Sequence, residues 1–567
     1  MQACEILQNQ NLLNETQVET ILQSGVSGTD QIDMAIELGY LEQAVALQAI
    51  GDSIGVGYVD LRTADIDLAL LEDFPTRLIY REQVFPIAIQ DGLILIATSD
   101  PFDLYAVDEI AATIGKAVLP VLAASPEIDS LIKQHLGVGS ETIDSLIQQR
   151  EDDDVELLEE IEGDGSELSE MAQEASVIRL VNEILLEAIQ MRASDVHIES
   201  QTAGVTIRYR IDGMLHPQPV PPEINHFQAA IISRLKIMAH LNIAEKRLPQ
   251  DGRIKLKVKG REVDIRVSVI PMIHGEGIVM RILDKGSMVF DLKSLGMETA
   301  IYEQFKQLIT LPHGIVLVCG PTGSGKTTTL YSSLMEIKNP SNKIITTEDP
   351  VEYQLDGINQ IQVHSRIGLT FSTTLRSILR HDPDIVLVGE IRDVETAENA
   401  IQASLTGHMV FSTLHTNDSA GAYTRMTDMG VEPFLVASTV EAVMSQRLVR
   451  RLCNDCKAPV KLKAKDLPPD FPTELLDGQD LFEAVGCREC RNVGYSGRLG
   501  VYELMLTTDT IRELATERAS SWQLKKSAVE GGMTTLRDDA WRKVLSGTTS
   551  VDEVLRITKG DQIVGKA

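Results

Sequence analysis

The sequence predicts an α/β fold divided among several domains, and three observations predict it. At roughly 150 residues per domain, 567 residues make three or four domains. From about Glu298 onward, short apolar runs each lead into a polar loop and then a helical pattern, as in a parallel sheet covered by helices. Upstream, between Val205 and Val269, apolar and polar residues alternate with the period of half-buried strands.

Composition narrows the classes of function. The chain carries 52 Lys and Arg against 83 Asp and Glu, a formal net charge of −31. A protein that coats duplex DNA needs net positive charge to displace counterions, so the balance argues against that class. No apolar run reaches the roughly 18 residues of a membrane-spanning helix. Met1-Gln2-Ala3-Cys4-Glu5 lacks the basic start and apolar stretch of an export signal, which predicts a cytoplasmic chain. Six cysteines, four of them in two close pairs, point to metal ligation in a reducing compartment rather than a disulfide framework.

Residues 1–140 make a mostly helical first domain. Ile6, Leu7, Leu12, Leu13, Val18, Ile21 and Leu22 are spaced for one buried face, and the pattern returns over 32–50. From Val84 the period changes: Phe85, Ile87 and Ile89, a turn at Asp91-Gly92 and a return over 93–97 predict a hairpin. Residues 141–175 form a linker, in which 151–174 hold twelve acidic residues and no Lys or Arg. A solvated tether explains that run more simply than a docking tail.

Residues 176–290 make a small α/β sheet domain, opening with an amphipathic helix over 177–191. Three alternating strands follow. Val205, Ile207, Tyr209 and Ile211 oppose Thr206, Arg208 and Arg210; Ile254, Leu256 and Val258 oppose Arg253, Lys255 and Lys257; Val263, Ile265, Val267 and Val269 oppose Asp264 and Arg266. The polar face of this sheet therefore carries a row of arginines, which a solvated surface would also explain.

Residues 298–567 make the largest domain, and its chemistry is the most specific. An apolar strand over 314–319 leads into Gly320-Pro321-Thr322-Gly323-Ser324-Gly325-Lys326-Thr327, and a helix continues from Thr328 to Ile337. This is a complete G-x-x-x-x-G-K-[ST] phosphate loop in its strand–loop–helix context. Its glycines let backbone N–H groups converge on phosphate oxygens, and the helix N-terminus adds positive potential. Lys326 can reach the β and γ phosphates, and Thr327 can ligate Mg²⁺. A second strand, 384–388, carries Glu390 to a loop where it could orient or deprotonate an attacking water. The usual metal-directed aspartate is replaced by Gly389, so Glu390 could also help hold Mg²⁺ through water. Two more apolar runs end in polar groups, one at Glu348-Asp349 and one at His415, and ligands bind at strand C-termini of parallel sheets.

These four segments in this order resemble the hexameric secretion ATPases that drive type II secretion and type IV pilus assembly, over about residues 176–567. The family's phosphate loop matches 320–327, its aspartate box 346–352, its Walker B segment 384–393 and its histidine box 406–417. The resemblance implies a RecA-like ATPase core working as a homo-hexamer on ATP and Mg²⁺. It makes Glu390 the catalytic carboxylate, Glu348 a second polar group near the γ-phosphate, and His415 a nucleotide-state sensor. It also implies that the small domain gives arginines to the nucleotide: Arg208 and Arg210 first, with Arg234, Arg253, Arg266 and Arg281 as weaker candidates. ATP would then bind between the two domains. The expected partners are the cytoplasmic domain of an inner-membrane secretion protein, met by the first domain, and an inner-membrane platform protein, so the chain would sit peripherally at that membrane. Segments 243–253, 404–408 and 428–434 look more like the type II motors than the pilus-extension motors, which remain the alternative. Retraction motors are disfavoured, because they lack both the long first domain and the cysteine insert. A nucleic-acid-translocating ATPase and a regulator that binds nucleotide without hydrolysis are the rivals from other classes.

Cys453-x-x-Cys456 and Cys487-x-x-Cys490 lie thirty residues apart, and two such turns can close a tetrahedral Zn²⁺ site. The spacing exceeds the commonest zinc ribbon, so the zinc-ribbon-like insert, 450–495, is expected to hold its own small helix and strand. A redox pair is the competing explanation. Aspartates and glutamates around the ribbon argue against nucleic acid. Some relatives bind cyclic di-GMP through paired Arg-Leu-Gly motifs. Here Gln2, Cys4 and Asn11, then Asp30 and Ile32, stand where the Arg and Gly belong, so no cyclic di-GMP binding is expected.

Overall fold

A computed structural model of the chain describes residues 3–10, 12–23, 30–72, 74–100, 102, 104–136, 155–157, 175–258, 260–284, 290–462, 467–476 and 480–558. They fall into two compact units, Met1–Gly286 and Ser287–Ala567.

The first unit opens with four short helices, Ala3–Asn9, Glu15–Gln23, Asp30–Glu37 and Gln43–Ile54. None is long enough to hold alone in water. They are held by burying Cys4, Ile6, Leu7, Leu13, Val18, Ile21, Ile32, Leu47 and Ile50 together, while Leu22, expected on the same face, is exposed. Cys4 and Ile32, two of the positions compared with the cyclic di-GMP motifs, are thus core residues; Gln2 and Asn11 lie outside the described residues. The hairpin forms from β1 (Val84–Gln90) and β2 (Leu93–Thr98). Asp91 and Gly92 take φ of 52° and 80°, a two-residue turn whose twist suits the strands it joins. A strand the sequence did not announce, β3 (Val118–Leu122), joins β2 in parallel. It has no alternation and contains Pro120, which an edge strand tolerates.

The same unit holds a seven-stranded sheet where three strands were expected. It comprises β4 (Val155–Leu157), β5 (Asp195–Gln201), β6 (Gly204–Ile211), β7 (Met214–Pro217), β8 (Gln250–Val258), β9 (Arg261–Met272) and β10 (Gly275–Asp284), ordered β4-β8-β9-β10-β5-β6-β7. The expected strands are β6, β8 and β9. β5 has too few apolar residues to stand out, and β10 puts Val279 on the polar side. β4 lies inside the expected tether and pairs with β8; the rest of the 151–174 acidic run lies outside the described residues. Helices Ala175–Gln190 and Gln228–Met238 supply Leu180, Ile184, Leu185, Ile231 and Leu235 to the apolar cluster of this sheet.

The second unit is built on β11 (Gly314–Cys319), β12 (Ile344–Glu348), β13 (Asn359–Gln362), β14 (Ile385–Val388), β15 (Met409–Leu414) and β16 (Val440–Leu452). An insert follows with β17 (Ala458–Val460) and β18 (Leu481–Glu483), and then β19 (Tyr495–Leu506) closes the sheet. The order is β13-β12-β14-β15-β11-β16-β19, parallel except for β19. Every residue of β11, β12, β14 and β15 is buried, since packed layers cover both faces of the sheet. That is why β11 and β14 read as unbroken apolar runs, while β12 and β15 bury Thr346, Thr347, Ser412 and Thr413 among their apolar residues. Among its described residues the insert holds two paired strands and a 3-10 turn, Thr473–Leu475. It packs Leu467, Phe471 and Leu481 with Val449, Val501, Trp541 and Val544. Among the described residues no helix is long and apolar enough to cross a membrane.

Candidate active site

β11 runs directly into the loop Gly320–Thr327, and helix Lys326–Ile337 follows. Gly320 has φ of 148°, and a Cβ there would fall 2.5 Å from Ser324 Oγ and 2.7 Å from the Gln446 carbonyl oxygen. Only glycine fits. Gly325, at φ 89°, turns the chain into the helix. Pro321, Thr322, Gly323 and Thr327 are exposed, Gly325, Lys326 and Thr328 are half-buried, and Ser324 is buried. Lys326 Nζ donates to the carbonyl oxygens of Gly320, at 2.8 Å, and Pro321, at 3.2 Å. Burial lowers the pKa of this ammonium from the usual lysine value, with Cys319 and Glu390 pulling the other way.

The sheet register brings the other groups to the same edge. Cys319 pairs with Leu414 and Val388 with Ser412, so the phosphate loop, His415 and Glu390 all begin at neighbouring strand ends. Glu390 is held from two sides: Arg392 Nη2 lies 2.5 Å from one carboxylate oxygen, and His415 Nε2 lies 3.3 Å from the other. Its carboxylate is only 13 % exposed. Asp393, the last residue of that segment, caps helix Val394–Leu405 by accepting the Thr396 N–H. The sequence reading did not single out Arg392, although it sits two residues after a carboxylate that ends a buried strand.

Glu348 ends β12, the strand beside β14, and its carboxylate is taken up by other elements. Its buried carboxylate accepts hydrogen bonds from the Tyr331 hydroxyl, from Thr346 Oγ1 at 2.5 Å and from Gln360 Nε2 at 3.1 Å. Burial, and then the neighbouring Glu348 charge, raise the pKa of Tyr331 well above the usual range. Glu348 therefore ties the helix that starts at the phosphate loop to β12 and β13.

Arg208 and Arg210 lie on β6 of the first unit, on the polar face as expected, but neither guanidinium stands alone. Arg208 Nη2 donates to both oxygens of Glu199, each at 2.7 Å. Arg210 lies 3.6 Å from Asp195 and donates to the Gly213 carbonyl oxygen at 3.0 Å. Arg281 shares Asp195 at 3.2 Å, and Arg253 pairs with Asp264. The register puts Arg253, Arg266, Arg281, Asp195 and Arg210 in one row across five strands, with Asp195 between Arg281 and Arg210 and Asp264 taken by Arg253. Arg234 is 6 % exposed, and burial lowers its pKa.

The four cysteines converge. Sulfur–sulfur distances are 3.9 Å for Cys453–Cys487 and 3.7 Å for both Cys456–Cys490 and Cys487–Cys490, and all four sulfurs lie within 4.8 Å of one another. Zn–S bonds of about 2.3 Å in a tetrahedron require edges of roughly 3.8 Å, so the residues fit Zn²⁺. The N–H groups of Cys487 and Gly494 donate to Cys490 Sγ at 3.2 and 3.1 Å, which favours a thiolate there.

Comparison with known proteins agrees with this construction. The family model described as type II/IV secretion system protein matches residues 170–556, and the MshEN domain model matches 54–142. The type II secretion system protein E of Xanthomonas campestris is 41% identical over 542 residues, covering 94% of each chain. The type IV pilus assembly ATPase PilB of Myxococcus xanthus is 39% identical over 562 residues, covering 98% of this chain and 99% of that one. Among solved structures, the Legionella pneumophila ATPase DotB aligns at a TM-score of 0.50 and 21% identity, over 66% of this chain and 94% of that one, a likeness of fold. With a phosphate loop, a half-buried glutamate and a histidine gathered at one sheet edge, the chain belongs to the type II/IV secretion system protein family and is an ATPase.

Proposed function

We propose that the chain is the hexameric ATP-driven motor of a type II secretion system, acting at the inner membrane through protein partners. The observation that carries the hydrolytic part is the Glu390 carboxylate, gripped by Arg392 and His415 beside the phosphate loop. In this reading Gly320, Pro321, Thr322, Gly323, Ser324, Gly325, Lys326, Thr327 and Thr328 cradle the triphosphate, Lys326 neutralises it, and Thr327 ligates its Mg²⁺. Glu390 orients the water that attacks the γ-phosphorus and accepts its proton. His415 senses which nucleotide is present through that carboxylate, while Glu348 acts at one remove by fixing the helix behind the loop. Arg208 and Arg210 serve the nucleotide only on release from Glu199 and Asp195. Cys453, Cys456, Cys487 and Cys490 hold Zn²⁺, which supplies folding energy to the insert and no step of the reaction. The first domain docks the inner-membrane partner, and neither nucleic acid nor cyclic di-GMP is an expected ligand.

The names of several relatives support secretion, and the full-length match to the Myxococcus pilus ATPase supports pilus extension as the second reading. A deletion strain separates them. Loss of exported enzymes with surface pili intact supports the motor of secretion; loss of pili with export intact overturns it in favour of the second.

A further inference from the structure

We infer that Gln446, on β16, is the positioning residue of the phosphate loop. Its side chain is 1% exposed, and both ends of its amide are used. Nε2 donates to the Ser324 carbonyl oxygen at 2.6 Å, and Oε1 accepts from Thr329 Oγ1 at 2.8 Å. A carbonyl oxygen can only accept, so this contact fixes which end of the amide carries the nitrogen. The bond crosses from one strand to the loop that follows another, spanning 122 residues of sequence.

Its consequence follows from the planar trans peptide. When the Ser324 carbonyl is pulled toward Gln446, the Gly325 N–H of the same peptide points the opposite way. In phosphate loops the binding groups are backbone N–H dipoles, so the orientation of one peptide is the orientation of one phosphate donor. Gln446 also sets the loop's floor. Its own carbonyl oxygen is what a Cβ at Gly320 would strike at 2.7 Å, and its Nε2 would lie 3.0 Å from a Cβ at Gly325. Arg447 reinforces the strand on the loop side, donating to the Gln446 carbonyl oxygen at 2.9 Å and to that of Asn417 at 2.8 Å. Asn417 lies two residues after His415, so one dipeptide braces both the loop and the histidine segment.

No other side chain of this size keeps the function. Glutamate can accept from Thr329 but would set a carboxylate oxygen against the Ser324 carbonyl. Leucine takes the donor away from the Ser324 carbonyl and the acceptor away from Thr329. This inference rests on reading Gly320–Thr327 as the triphosphate site, and the two can fail separately. The test is calorimetric titration of MgADP into the full chain, for the wild type, Gln446→Glu, Gln446→Leu, Thr329→Val and Lys326→Ala, with melting temperatures taken alongside. The positioning role gives affinity about 10- to 100-fold weaker for both Gln446 variants. It leaves Thr329→Val within about twofold, because the Ser324 bond survives in that variant, even if its melting temperature falls. A purely structural role would lower affinity in step with melting temperature in all three. Either that pattern, or Gln446→Glu and Gln446→Leu binding within twofold of wild type, overturns the inference. Wild-type affinity in Lys326→Ala overturns instead the reading of the loop as the phosphate site.

Discussion

His415 Nε2 lies 3.3 Å from Glu390 Oε2, and the two residues belong to loops that leave adjacent parallel strands. Arg392 holds the other oxygen, so the carboxylate has little freedom to turn. A group that aims a water depends on that restriction, since a misplacement of about 1 Å can cost 10²-fold in rate. Replacing His415 by Ala should therefore lower kcat about 10- to 100-fold and leave KM for ATP nearly unchanged. Steady-state hydrolysis assays check it; a rise in KM at constant kcat would assign His415 to nucleotide binding.

Gly389 occupies the position where the usual phosphate-loop site has an aspartate. A Cβ here would sit 3.1 Å from the Thr347 carbonyl oxygen and 3.2 Å from the Phe371 ring, in buried strand surroundings. Gly389→Ala should destabilise the protein by about 1–3 kcal/mol through overpacking, read as a lower denaturation midpoint. No loss would mean the strand yields to the methyl group.

The Arg208–Glu199 pair is a forked, partly buried contact. A double-mutant cycle of Arg208→Ala and Glu199→Ala should show a coupling of ~1–2 kcal/mol in stability. Hydrolysis by Glu199→Ala, which frees the guanidinium, should equal or exceed wild type if Arg208 serves the nucleotide. A fall parallel to that of Arg208→Ala would leave the pair a purely structural one.

Removal of zinc should be visible from Trp541. Its Nε1 donates to Asp470 of the insert at 3.1 Å, and Phe471 meets its ring edge-on at 5.2 Å. The chain has two tryptophans, so Trp522→Phe leaves Trp541 as the sole reporter. A strong chelator should release one zinc per chain and shift that emission to the red. Metal release with unchanged emission would uncouple the cysteines from the C-terminal helices.

Glu553 gives the expected acid sensitivity. Burial alone would raise its pKa, but hydrogen bonds from Arg556 and Arg450 outweigh burial and hold the carboxyl below the usual value. A carboxyl depressed in the fold contributes stability that is complete above the unfolded pKa of roughly 4.3 and fades as pH falls through the lower folded value. The melting-temperature gap between wild type and Glu553→Gln should thus narrow as pH drops below ~4.

Much of this was legible in the sequence because local chemistry announces it. The phosphate loop, the strand ending near Glu390 and the cysteine pairs each carry their meaning within a dozen residues. What stayed hidden depends on register. Gln446 lies between Ser445 and Arg447 in a strand of mixed polarity, with no local sign that its amide reaches Ser324, and Arg392 reads as an ordinary loop arginine until His415 is placed opposite. The arginine row was visible on single strands, but its carboxylates, Asp195 and Glu199, sat on a strand too polar to recognise. Glu348 was found at the right strand end, yet Tyr331 and Gln360, which fill its hydrogen bonds, come from other elements.

The account turns on Glu390 as the group that makes the bound triphosphate reactive. Phosphate release by the full chain with Mg²⁺ and ATP, in the presence of lipid and its membrane partner, should fall about 10²- to 10⁴-fold in Glu390→Gln while ATP still binds. Equal release by wild type and variant, with nucleotide bound by both, would contradict it.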